Sequence, residues 1–132
     1  RIASDGMTTL ANAGHLPPYL NGQEMLMEGA LPLGVIAETE FPVLSFKLSL
    51  GDTLMLMSDG IAEAQDEHGS LFGFERIDEM LRNPTTAAAL AAAAQNFGQE
   101  DDILVLRIKR GSERQVFPDT ESVLTSTKPV RV

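Results

Sequence analysis

The stretch that decides the fold is GDTLMLMSDGIAEA, residues 51–64. It opens on a Gly51-Asp52 turn, continues as the apolar run Thr53–Met57 and stops at Ser58-Asp59-Gly60. An uninterrupted apolar run of this length between turn residues is typical of a strand buried in the centre of a sheet. A carboxylate at the end of such a strand is held by a rigid element, and it can bind a hard cation there. Asp59 is therefore a candidate metal ligand, with a plain Asp-Gly turn as the alternative interpretation.

A second acidic strand end lies further along the chain, where Asp101 and Asp102 lead into the apolar run 103–108. Adjacent carboxylates repel each other unless a cation neutralises them, which makes the pair a second candidate for metal binding. A solvated acidic loop is the alternative. If both interpretations of metal binding hold, the two strand ends converge on one or two Mg²⁺ or Mn²⁺ ions.

The remaining sequence predicts an α+β fold, because strands come first, two helices follow and another strand closes the order. Further strands are expected at 7–12, 19–20, 25–27 and 43–50, with Asn21-Gly22 as a hairpin turn and a short strand at 122–125. One helix is expected where Phe74, Ile77, Met80 and Leu81 share a face, and a second at 87–96, with Thr85 or Thr86 as N-cap and Gly98 at its end.

The charge distribution limits the classes of partner. Residues 1–106 hold 16 Asp or Glu against 4 Lys or Arg, while residues 107–132 hold 6 Lys or Arg against 3 Asp or Glu. An acidic body repels phosphate backbones and anionic lipids, so we expect neither nucleic-acid nor membrane binding. With no cysteine in the chain, thiolate metal sites and cysteine nucleophiles are excluded. We expect a cytoplasmic protein.

A third motif, NAGHLPP at residues 12–18, combines a turn glycine, a histidine and a rigid diproline. His15 fits a structural hydrogen-bonding role as well as it fits a chemical one. The only other histidine, His68, does not complete a zinc signature. The sequence contains neither a Gly-x-Ser-x-Gly nucleophile elbow nor a P-loop, which leaves serine hydrolases and nucleotide hydrolases without support.

Five blocks taken in order resemble the signature of the metal-dependent protein phosphatases, in the subfamily typified by the stage II sporulation protein E. They are NAGHLPP (12–18), LPLGV (31–35), GDTLMLMSDGIAEA (51–64), LFGFERI (71–77) and DDILVL (101–106). The resemblance implies a protein phosphatase 2C-like β-sandwich flanked by helices, with two Mn²⁺ or Mg²⁺ ions at one end. It implies metal binding by Asp59, Asp101 and Asp102. It gives Gly60, Asn12, Gly14 and His15 the role of shaping the site, with no catalytic role for His15.

The implied activity is hydrolysis of phosphoserine or phosphothreonine in a bacterial regulatory protein, such as an anti-sigma-factor antagonist, by water activated on two metals. The family places a further metal-binding Asp-Gly upstream, whereas Asp5-Gly6 here reads as a hairpin turn. We therefore expect residues 1–110 to be the C-terminal portion of a phosphatase domain whose N-terminal part is missing, followed by a tail at 111–132. We expect this fragment to be inactive alone.

Two other functions stay open at this point. The first is a non-catalytic interaction module with a degenerate phosphatase fold, and the second is a simple acidic metal-binding domain, which would not account for five ordered blocks. A partial sandwich would also present unpaired strand edges, so we expect a homodimer formed through exposed sheet edges.

Overall fold

The computed structural model describes residues 1–98 and 102–111, and the backbone alone of residues 120–125. Within these ranges the chain forms strands and helices in the predicted α+β order. The elements are β1 Met7–Ala11, β2 Tyr19–Leu20, β3 Gln23–Glu24, β4 Val43–Lys47, β5 Thr53–Met57, a 3-10 turn at Asp59–Ile61, α1 Gly73–Leu81, α2 Ala87–Phe97, β6 Ile103–Lys109 and β7 Thr120–Thr125.

The main sheet has the strand order β3-β2-β5-β6-β7, and its neighbouring strands are antiparallel. The apolar run Thr53–Met57 is β5, and it lies at the centre of this sheet, as predicted. Its register with β6 pairs Thr53 with Lys109 and Met57 with Val105. Because the two strands run in opposite directions, the end of β5 and the start of β6 meet at the same end of the sheet.

The hydrophobic core lies between one face of this sheet and the two helices. Met57 and Val105 supply the sheet side, and Ile77 of α1 and Leu90 of α2 cover them, each of the four at most 1% exposed. The buried face of α2 is otherwise alanine, which lets the helix backbone approach the sheet closely; these residues are Ala87, Ala91 and Ala94.

A second, two-stranded sheet forms the other layer of the sandwich. It pairs β1 with β4, and β4 alternates between its two faces, since Leu44 and Phe46 are half-buried while Ser45 and Lys47 are exposed. A mainly apolar cavity of about 350 Å³ separates the two layers. It is lined by Leu10 and Ala11 from β1 and by Leu56, Leu104 and Leu106 from the main sheet.

The second helix is capped as predicted. The first helix buries only part of the apolar face that the sequence predicted. The Thr86 hydroxyl accepts from the Ala89 N–H at 3.1 Å, and Gly98 ends α2 with φ +133°. Phe74, which was expected to share a helix face with Ile77 and Leu81, is 49% exposed, whereas those two residues are buried. Phe72, one residue before α1, takes the buried place and packs edge-on against Phe97, with ring centroids 5.4 Å apart.

Several strand boundaries also differ from the prediction: β1 ends one residue earlier, at Ala11, and β6 ends one residue later, at Lys109. The Asn21-Gly22 turn is confirmed, with both residues at positive φ, but the returning strand is Gln23–Glu24, not 25–27. The ladder stops at Met25, whose N–H bonds the Pro18 carbonyl at 2.8 Å, because Pro18 has no N–H to donate in return.

The strand predicted at 43–50 ends at Lys47. Soon after it, the Ser49 N–H turns to the Asp52 carboxylate, 2.7 Å away, and begins the turn into β5. The short strand predicted at 122–125 begins two residues earlier, as Thr120–Thr125, and pairs with β6 in the main sheet. The division of the chain at residue 110 stays a prediction.

Candidate metal centre

Asp59 stands immediately after β5 and begins the 3-10 turn. The turn is anchored on both sides, because Met57 is 1% exposed and Ile61 is fully buried. Asp59 itself is exposed, and its carbonyl oxygen accepts from the Glu63 N–H at 3.0 Å. Gly60, half-buried, keeps the backbone of the turn free of a side chain. The carboxylate is thus presented at the end of the sheet on a fixed backbone.

A pair of hydrogen bonds through Ser58 joins this turn to β6. The Ser58 N–H donates to the Leu104 carbonyl at 2.9 Å, and the Leu104 N–H donates to the Ser58 hydroxyl oxygen at 3.0 Å. We call this pair the Ser58 clamp. It fixes the residue before Asp59 to a residue two positions after Asp102, so both acidic strand ends lie at one end of the sheet. Sequence reasoning missed Ser58; its one signal is a hydroxyl residue directly before a strand-end aspartate.

The predicted ligand set is brought together in part. Asp102 is exposed and directly precedes β6, whereas Asp101 lies outside the described residues. Carboxylate oxygens are the ligands that Mg²⁺ and Mn²⁺ prefer, so Asp59 and Asp102 fit such an ion in kind. Two carboxylates are too few for a complete metal site, and the described residues contain no group of three His, Asp or Glu side chains able to hold a metal.

The predicted site-shaping loop is closed by one side chain. The Asn12 amide oxygen accepts from the His15 N–H at 2.9 Å, while its amide nitrogen donates to the carbonyls of His15 at 2.8 Å and Leu16 at 3.3 Å. Gly14 adopts φ +86° and lies against Pro32, where a Cβ atom would be too close.

This loop borders the candidate centre through the apolar cavity. Asn12 and His15 line the cavity together with Met57 and Leu104. Met57 directly precedes Ser58, and Leu104 is the hydrogen-bond partner of Ser58 in the clamp. The imidazole of His15 is exposed. The structure therefore places Asn12, Gly14 and His15 in a structural loop beside the strand ends.

Shifted pKa values belong to turns and core contacts. Burial raises the pKa of the Tyr19 hydroxyl, and the hydrogen bond to the Asp78 carboxylate, 2.9 Å long, adds to it. The Asn21 amide holds the pKa of Asp52 below its usual value, with further help from the Ser49 N–H. The pKa of Asp66 is lowered mainly by the Ser70 N–H, which its carboxylate accepts at 2.8 Å.

Comparison with protein families matches residues 2–111 to the model described as stage II sporulation protein E (SpoIIE). The phosphatase domain of the cell-fate determinant SpoIIE from Bacillus subtilis, presoaked with Mn, superposes with a TM-score of 0.63 at 22% identity, over 89% of this chain and 57% of that one. A second structure of that domain gives 0.60 at 26% identity, over 87% and 55%. The SiaA-PP2C domain of Pseudomonas aeruginosa gives 0.55 at 30% identity, over 76% and 46%.

These matches also set the extent of the similarity. The chain spans a little over half the length of the SpoIIE domains and slightly under half of the SiaA domain. The predicted fold, part of a protein phosphatase 2C-like sandwich, is confirmed. A search of curated proteins gave no match. In the described part of the chain, no helix has both the length and the apolar character needed to cross a membrane.

Proposed function

The chain belongs to the SpoIIE family of protein phosphatase 2C-like domains, and on that premise we propose that its parent protein is a metal-dependent serine/threonine phosphatase. Its substrate is a phosphorylated bacterial regulatory protein, such as an anti-sigma-factor antagonist, and it acts in the cytoplasm. The 132-residue chain supplies one side of the active site and is inactive alone.

The observation that carries this proposal is the Ser58 clamp, which holds Asp59 and the start of β6 at one sheet end. In the proposal, Asp59, Asp101 and Asp102 are ligands of two Mn²⁺ or Mg²⁺ ions. When bound, such ions supply a water of lowered pKa and positive charge for the phosphoryl oxygens. The residues of this chain position the carboxylates, and Gly60 leaves room beside them.

The acidic character of the chain agrees with this assignment. A formal net charge of −9 repels a phosphorylated substrate, so the carboxylates need neutralising before a phosphate group can approach. Cations held at the sheet end provide that neutralisation locally.

The second candidate is the non-catalytic interaction module. It is favoured by the incomplete ligand set, since the described residues bring together no three metal-binding side chains. The two functions differ in one consequence. A phosphatase loses activity when Asp59 loses its charge, whereas an interaction module tolerates that change.

The experiment is Mn²⁺-dependent hydrolysis of an aryl phosphate and of a phosphoserine peptide by the parent protein, its Asp59→Asn variant and the 132-residue chain. Asp5→Asn is the matched control, because Asp5 is exposed and an amide oxygen can still accept the Met7 N–H, now 3.0 Å from the carboxylate. We expect activity in the parent and in the control only. Full activity in Asp59→Asn, or none in the parent with Mn²⁺ present, would contradict the proposal and favour the interaction module.

We also propose that this chain forms a homodimer through the small sheet. Among the described strands, β4 pairs only with β1, so its other edge is open, and Val43 on that strand is 60% exposed. An open edge with exposed apolar side chains favours pairing with a second copy. Light scattering at increasing concentration should give the mass of a dimer; a monomer throughout would refute the dimer.

A further inference from the structure

A second pocket lies at the opposite end of the main sheet from Asp59, on the side covered by the helices. It has a volume of about 320 Å³ and lies between the ends of β5 and β6, the Asn21-Gly22 turn and the segment that follows α1. Its lining combines three cationic side chains with hydroxyl and amide groups. These residues are Arg82, Arg107 and Lys109, with Thr53, Thr85, Asn21 and Asn83, and we call the site the basic pocket.

The charge of this pocket is opposite to that of the protein. The described residues with full side chains include seven Lys or Arg, and three of them line this one pocket. No Asp or Glu is among the described residues that line it. In a chain of net charge −9, such a concentration of positive charge around a concave surface favours an anion.

Arg107 gives the second, independent observation. Its Nε atom is buried and has no hydrogen-bond acceptor among the described residues. A buried N–H without an acceptor destabilises the structure, and such groups are rare in folded proteins. Guanidinium groups bind the oxygens of phosphate and carboxylate with a matched fork of donors. Arg107 also lines the pocket, so an oxyanion there would lie beside its guanidinium group.

Negative groups near the pocket are partly engaged elsewhere. Asp78 accepts from the Tyr19 hydroxyl, and the carboxylate of Asp52, outside the lining, accepts from Asn21 and Ser49. The carbonyl oxygens at the end of α1 would repel an anion. The carbonyl oxygen of Met80, however, accepts a hydrogen bond of 2.6 Å from the Thr85 hydroxyl.

One competitor remains, on the neighbouring strand. Glu121 of β7 is the register partner of Arg107. This register position makes Glu121 the alternative partner for Arg107, which a Glu121→Gln variant can test.

We infer that the basic pocket binds a small phosphate-bearing anion. Arg107 and Lys109 contact the phosphate oxygens, and Arg82 adds a third positive charge beside them. The volume is within the range of small-molecule sites, about 300–1,000 Å³. Thr53 and Met57 lie roughly 14 Å apart along β5, at about 3.4 Å per residue, so this site is separate from the candidate metal centre.

The test is a titration of the 132-residue chain with inorganic phosphate, followed by amide chemical shifts, at constant ionic strength and with a chelator present. Without metal ions the Asp59 end cannot bind phosphate through them, so the result is independent of the proposed phosphatase function. We expect saturable shifts at Thr53, Thr85 and Lys109. Lys109→Gln, at an exposed position that tolerates change, should weaken binding about 3- to 5-fold, and Arg107→Gln about 10-fold or more.

Lys47→Gln is the matched control, since it removes the same charge from the other sheet, and it should leave binding unchanged. Shifts that do not saturate, or an equal loss in Lys47→Gln and Lys109→Gln, would overturn the inference. So would binding that appears only in Glu121→Gln, because the carboxylate would then be the true partner of Arg107.

Discussion

Replacing Ser58 by alanine tests the link between the two acidic strand ends. The change removes the hydroxyl oxygen that accepts the Leu104 N–H at 3.0 Å and leaves the Ser58 N–H bond to the Leu104 carbonyl intact. Ser58 and Leu104 are both half-buried, so water reaches the abandoned N–H only partly. An N–H left without an acceptor in such a place costs about 1–2 kcal/mol.

This loss converts into a measurable shift in melting temperature. In a domain of about this size, each kcal/mol lowers the melting temperature by roughly 3–6 °C, so Ser58→Ala should melt about 3–12 °C lower. Ser45→Ala is the matched control, because Ser45 is exposed on β4 and its hydroxyl makes no hydrogen bond among the described residues. It should melt within about 2 °C of the wild type.

The clamp also predicts where the effect appears. Hydrogen exchange should accelerate at the Leu104 amide in Ser58→Ala, while amides at the far end of the pair, near Thr53, keep their protection. In the parent protein the same variant should reduce phosphatase activity with its fold retained. Equal melting temperatures for the two serine variants, or acceleration spread evenly along β5, would refute the claim that Ser58 fixes the site.

Three further predictions concern stability. Gly98→Ala should destabilise the chain by more than Gly51→Ala. Both glycines have positive φ, but of the two only Gly98 would bring a Cβ atom against a neighbouring backbone. Thermal melts of the two variants measure the difference. Because the pKa of Tyr19 is raised in the folded state, its protonated hydroxyl stabilises the fold below about pH 10, and this stabilisation is lost as pH rises through the folded-state pKa. Tyr19→Phe should therefore unfold less steeply in alkali. Tyr19 is the single tyrosine of the chain, so its absorbance in the wild type follows the titration directly. The lowered pKa of Asp66 contributes stability above about pH 4 that disappears as pH falls further, and Asp66→Asn should flatten acid unfolding followed by circular dichroism.

The sequence predicts most of the main sheet because its strands carry local signals. The apolar run of β5, bounded by Gly51-Asp52 and Asp59-Gly60, marks both ends of the strand, and the alternation in β4 marks its buried face. The fold family followed from five ordered blocks. The helical periodicity did not show that Phe72 is the phenylalanine buried beside Phe97, because Phe72 stands just before the helix and outside its periodicity.

The features that sequence reasoning missed depend on contacts between distant residues. The Ser58 clamp joins residues 46 positions apart, and the basic pocket combines Arg82 after α1 with Arg107 and Lys109 of β6. The charge asymmetry of the sequence showed the cations at the C-terminal end but not their convergence. The site residues Asp59 and Asp102 were named from their strand-end positions and from the family resemblance, and their metal binding stays a prediction.

Calorimetric titration of the parent protein with Mn²⁺ tests the central claim most directly, with Asp59→Asn and Asp102→Asn as variants and Asp5→Asn as control. We expect the parent and the control to bind two ions, and each site variant to lose at least one ion or to bind it about 10-fold more weakly. Unchanged stoichiometry and affinity in both site variants would contradict the account, because the end of the sheet that carries Asp59 and Asp102 would then hold no metal.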